Sequence, residues 1–149
     1  MRAHAAAAVA LTALLAGCAS MPGQPATALV ALGPGLELRV EHARTADEQR
    51  TGLAGRSELS EGQGMLFSFA SQSERQVWMA GMKFPIEVAW IADHRVIAVQ
   101  TLEPCVEAEQ DRCPRWTSPN DVDALLGVRA GALESIDAGT VVTIREETP

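Results

Sequence analysis

Clustered positive charge is the first thing this chain lacks. Lysine occurs once, as Lys83, and the arginines are scattered with no basic run. Phosphate backbones are held by grouped Lys and Arg, so nucleic acid drops out of the expected partners. No Gly-x-Ser-x-Gly turn is present, and of the histidines only His42 and His94 could act as a base, so a serine hydrolase is not expected. Glycine-rich phosphate loops are missing too. Gly33-Pro34-Gly35 precedes a strand, whereas a nucleotide cradle needs glycines running from a strand into a helix. His and Cys never repeat at the spacing of a closed zinc site, and Met79-x-x-Met82 has no other soft ligands clustered with it, so neither a metal nor a cofactor is expected. The absence of long periodic helices argues against a bundle or a doubly wound fold, and no internal repeat is visible.

Cysteine is also scarce, and its placement is informative. Cys18 closes the tetrapeptide Leu15-Ala16-Gly17-Cys18, directly after a run from Ala5 to Leu15 that is apolar apart from Thr12 and follows Arg2. This is the layout of a secretory signal peptide over residues 1–17, too short to span a bilayer. The tetrapeptide resembles the lipobox of bacterial lipoproteins, in which the cysteine is alkylated by a diacylglycerol and the leader is cut before it. Attachment to the membrane is thus expected through lipid on Cys18, each buried methylene contributing about 0.8 kcal/mol. Cutting there takes the formal charge from −7 to −8, which an anionic lipid surface would repel. Ala19 and Ser20 lack the aspartate that retains many such proteins at the inner membrane. The lipoprotein resemblance therefore implies the periplasmic face of the outer membrane.

Residues 18–27 read as a lipidated N-terminus and flexible linker, with Pro22 and Pro25 among small residues, the stretch 19–27 spanning at most about 30 Å. A single globular domain is expected over 28–149. Cys105 and Cys113 are the cysteines left for redox chemistry, and an oxidising compartment predicts a disulfide between them. Their spacing is unlike a Cys-x-x-Cys turn, which points to a loop pin and away from a redox-active pair.

Leu36 to Glu41 alternates apolar and charged residues and predicts a strand. Thr45-Ala46-Asp47-Glu48 has the form of a capping box and predicts a short helix to about Leu53, stopped by Gly52 and Gly55. Runs at 64–69, 76–80, 86–91 and 96–102 are rich in Val, Ile, Phe and Trp and read as one antiparallel meander. Further strands are expected at 124–128 and 141–145, with a helical turn at 132–137. The fold class is α+β and β-rich: a compact barrel-like or sandwich-like antiparallel sheet with two or three short helices.

The order Arg50-x-Gly52-Leu53-x-x-Arg56, Leu59, Gly64-Met65-Leu66-Phe67-x-Phe69, Trp78-Met79 and Pro85-Ile86-Glu87-Val88 resembles the domain-of-unknown-function family numbered 192. Pro104 and the stretch from Gly131 to Gly139 fit the same pattern, so the resemblance covers most of 36–145. It implies a small β-rich fold, often exported, with no established activity. The chain departs from that pattern at Ala54, at Ala80-Gly81-Met82, at Glu87 where the family has aspartate, and at Gly127 where it has a carboxylate.

Met65, Phe67 and Phe69 fall on one strand face and read first as core packing, with a ligand pocket as the alternative. Trp78 and Met79 point to opposite faces, so at most one joins that wall and the other is a candidate ligand contact. Glu87 lies in an apolar strand near Lys83 and Trp90; alternation turns it to solvent, and the alternative is burial against a cation. Arg56 either complements helix carbonyls or, with Lys83, fixes an anionic ligand by bidentate hydrogen bonds. The tentative ligand set is therefore Arg56, Trp78, Met79, Lys83 and Glu87. The expected function is an envelope-tethered accessory lipoprotein that binds a small molecule or an envelope protein without doing chemistry. The alternatives are an enzyme acting on envelope polymers, with Glu87 as acid or base, and a structural envelope protein.

Overall fold

The computed structural model describes residues 25–147; Cys18, the expected leader and the first part of the linker lie outside the described residues. Among the described residues nine strands run in chain order: β1 (Thr27–Leu32), β2 (Leu36–Ala43), β3 (Gly64–Ser73), β4 (Gln76–Trp78), β5 (Ile86–Ala92), β6 (Arg95–Leu102), β7 (Arg115–Thr117), β8 (Val122–Arg129) and β9 (Val142–Glu147). Among the described residues the helical content is one helix, α1 (Ala46–Thr51), and one 3-10 turn at Gln110–Arg112. The expectation of two or three short helices is therefore corrected. At 132–137 the chain makes isolated turns, Ala132 N–H to the Arg129 carbonyl and Ile136 N–H to the Leu133 carbonyl, without propagating a helix.

Seven strands form one sheet in the order β6-β5-β8-β3-β2-β1-β9, and β4 pairs with β7 in a separate ribbon. The expected meander is corrected as well. Only β5 and β6 are consecutive neighbours among the four runs that were to compose it; β3 lies between β8 and β2, and its pairing with β2 is parallel. The parallel step follows from α1, because a parallel neighbour cannot be reached by a tight hairpin and needs a crossover connection. The N-terminal strand β1, not among the predicted runs, buries alternate residues against the core and pairs with both β2 and β9.

The sheet curls into a half-barrel. Its two terminal strands approach each other at one corner, where Val142 N–H donates to the His94 carbonyl and Val96 N–H to the Thr140 carbonyl, at 2.8 and 2.9 Å. Asp93 and His94, which join β5 to β6, both have positive φ. A two-residue hairpin with both central residues left-handed matches the twist of the flanking strands, so the link is made without Asn-Gly or Asp-Gly.

Alternation along the strands separates two cores. Inside the curl, Val30, Val40, Leu66, Ala89, Ile91, Leu126 and Val142 pack with Leu133 and Ile136 from the loop after β8. On the outer face, Met65, Ile86, Val88, Trp90 and Leu125 pack under Leu53, Leu59, Met79 and Met82 from the surrounding loops. β5 is buried along its full length because it faces both cores. Trp90, fully buried, meets its one polar requirement by donating from Nε1 to Gln100 Oε1 at 2.6 Å.

Candidate functional site

The helix begins as the sequence specifies. Glu48 N–H donates to Thr45 Oγ1, and Glu48 Oε2 accepts from the N–H groups of Thr45 and Arg44 at 2.8 and 2.9 Å. Those backbone donors hold the Glu48 carboxyl below its usual range. Gly52, at φ +48, ends α1 after a turn and a half and sends the chain across the outer face of the sheet, two residues sooner than expected.

On the far side of that face stands β4, held to β7 by antiparallel pairing and by Ser118, whose Oγ accepts from Arg75 N–H at 3.0 Å. Between the α1 loop and β4 lies a cleft of about 610 Å³. Phe67, Phe69, Ile86, Val88 and Leu125 supply an apolar floor, and Gln49, Arg50, Glu74, Arg75 and Gln76 bring polar groups to its edges. The size and the contrast of an apolar floor with a few polar groups are those of small-molecule sites. Gly127 also lines the floor, and a Cβ there would meet Leu53 Cδ1 at 3.6 Å, an ordinary contact.

The disulfide between Cys105 and Cys113 is present. Cys105 N–H donates to the Met79 carbonyl, which also accepts from Met82 N–H, so the bridged loop holds the segment that forms one wall of the cleft. Met79 and Met82 are buried in that wall. Among the described residues no group of His, Cys, Asp or Glu is arranged to hold a metal ion.

The tentative ligand residues do not converge. Trp78 and Met79 both line the cleft: Met79 is 1% exposed, while Trp78 is 39% exposed and carries the Arg115 guanidinium 4.6 Å from its ring centroid. Lys83 is exposed and lines neither described cavity. Glu87 is buried, which corrects the expectation that alternation turns it to solvent. Its strand faces a core on both sides, so alternation carries the carboxylate into the curl of the sheet, where Oε2 accepts from Leu133 N–H at 2.6 Å. A backbone donor takes the place of the cation weighed for a buried Glu87.

Arg56 lies beyond α1, so it does not cap the helix; its Nη1 and Nη2 donate to the two carboxylate oxygens of Glu41 at 2.7 and 2.8 Å. That fork holds the guanidinium pKa above its ordinary value. The pair borders a second cavity of about 330 Å³ with His42, Glu48 and Met65. An anion reaching Arg56 would have to displace Glu41.

Sequence reasoning missed Arg75. Its guanidinium carbon sits 4.1 Å from the Phe69 ring centroid, and one Nη donates to the Ser71 carbonyl at 2.9 Å. The signal was an arginine six residues after a strand aromatic, an even spacing that sets both on one side of the extended segment running from β3 into β4.

The family model DUF192, described as "Uncharacterized ACR", matches residues 29–144. A search of curated proteins finds no match. Among solved structures, the chain is similar to one from Sinorhizobium meliloti 1021 described as a "putative transcription regulator", at 21% identity and TM-score 0.67, covering 80% of this chain and 93% of that one. It is also similar to a protein of unknown function from Novosphingobium aromaticivorans DSM 12444, at 24% identity and TM-score 0.65, covering 78% and 83%. At these identities the likeness is one of fold.

Proposed function

The chain belongs to the DUF192 family, and from that membership and the cleft we propose that it is an envelope-tethered accessory lipoprotein that binds a small molecule between α1 and β4. The cleft carries the reading: about 610 Å³ with an apolar floor and polar edges, walled by a disulfide-pinned segment. Leu15-Ala16-Gly17-Cys18 supports the tether, and the residues after it support the periplasmic face of the outer membrane. The enzymatic alternative with Glu87 as acid or base draws no support from the geometry. Ile86 and Val88 line the cleft and Glu87 between them points to the opposite sheet face.

Thermal-shift and equilibrium-dialysis measurements with short amphiphiles, sugars, cell-wall fragments and metal ions test the reading. A ligand of the cleft is expected to raise Tm with concentration, since binding only the native state stabilises it. A protein that binds none of these and crosslinks to no envelope partner would overturn it.

A further inference from the structure

We propose that the ligand of the cleft is a monocarboxylate with an apolar body, whose headgroup takes Arg75 as its counter-ion; this rests on the small-molecule reading above. Arg75 is a half-buried cation, and among the described residues it forms no ion pair. Its Nε is buried with no hydrogen-bond partner, and the bond to Ser71 uses one of five N–H donors. At Nε the guanidinium has given up water without gaining an acceptor, and its charge has no counter-ion, an arrangement that leaves a favourable position for an anion.

The rest of the cleft supplies the other half of the ligand. Arg75 is stacked on Phe69, a residue of the floor, one Nη is held by the Ser71 carbonyl, and its backbone is pinned to Ser118 by two hydrogen bonds. A carboxylate on the fork therefore directs the attached chain across Phe67, Val88 and Leu125. Among the described residues Glu74 is the only acid lining the cleft, against Arg50 and Arg75, and Arg50 is already paired with Asp47 at 2.6 Å. The chain as a whole carries −7, whereas the charges left at the cleft once Arg50 is paired, Glu74 and Arg75, balance. A cationic amphiphile would meet Arg75 as a like charge; a neutral one would leave its donors unmet.

Calorimetric titration of the purified full chain with decanoate, decan-1-ol and decyltrimethylammonium separates these cases. Decanoate is expected to bind at least tenfold tighter than decan-1-ol, and its affinity alone to weaken between 20 and 500 mM salt, as a charge pairing at the cleft edge requires. Arg75→Gln is expected to bring the two affinities together, with Arg75→Lys retaining part of the difference. Should Arg75→Gln fail to fold, the wild-type affinity ratio and its salt dependence decide. Equal binding of acid and alcohol, or preference for the ammonium amphiphile, would overturn the carboxylate assignment while leaving the small-molecule reading intact. Binding of none of the three at millimolar concentration, with ligands of another class bound, would also overturn the assignment; no ligand of any class would overturn both.

Discussion

The Glu87 carboxylate accepts the Leu133 N–H at 2.6 Å inside the curl of the sheet, and this bond anchors the loop after β8 that closes one part of the inner core. Removing the acceptor strands a buried donor. Glu87→Ala is therefore expected to cost about 1–3 kcal/mol and Glu87→Gln less, because the amide oxygen keeps the bond; urea denaturation of both variants checks the order. His42 is the second residue whose burial has a measurable consequence. Its Nε2 pairs with Ser68 Oγ at 2.8 Å, while Nδ1 has no hydrogen bond and lies 3.7 Å from Glu146 Oε1. Desolvation lowers its pKa below 6.5, Glu146 and Glu48 oppose that and Arg44 adds to it. The unfolded chain thus binds a proton at a higher pH than the folded one. The contribution of His42 is full above the unfolded value, falls as pH drops through 6.5 and levels off below the folded pKa. Urea midpoints of the wild type are expected to decrease from pH 7.5 to 5.5, with His42→Gln flattening the curve.

At the scale of elements, the close crossing of β3 on β8 depends on Gly64. A Cβ there would lie 2.7 Å from the Gly127 carbonyl oxygen and 2.8 Å from Val128 Cγ1, contacts that neither strand backbone can relieve without moving. Gly64→Ala is expected to destabilise by about 1–3 kcal/mol with the denaturant slope unchanged. The bridged loop makes a separate contribution. The disulfide closes a sequence separation of 8, and on the loop-entropy account its loss in Cys105→Ser/Cys113→Ser costs about 2.5 kcal/mol, measured against the oxidised protein in urea. Seven of the strand runs, the capping box and the cysteine pair were legible in the sequence because each rests on neighbours within a few residues, while β1 and β7 were not read as strands. The pairing of β3 with β2 and β8, the detachment of β4 to meet β7 and the burial of Glu87 were not legible. Alternation states which residues share a face, and it is silent on whether that face meets water or a second core.

At the scale of the whole molecule, the proposed tether and the cleft are independent features. Among the described residues no helix is long and apolar enough to cross a membrane. Cys18→Ser is expected to move the protein from the membrane pellet to the soluble fraction; retention in the pellet would remove the lipid anchor from the reading. The family resemblance was legible because its glycines, aromatics and prolines recur in a fixed order, and the match over 29–144 places the chain in that family. The site was less legible. Trp78 and Met79 were singled out and do border the cleft, but Arg56 is taken by Glu41 and Lys83 stands outside. What the sequence by itself determined was local: alternating strands, a helix start whose side chains satisfy their own backbone, and two cysteines near enough to join. Only the tertiary structure decided that Arg75 rests on Phe69 without a counter-ion and that Glu87 caps a backbone donor, because the first depends on which acids the fold brings near and the second on a distant loop laid inside the curl of the sheet. Such meetings are set by the balance of packing over the whole molecule, which no short window of sequence contains.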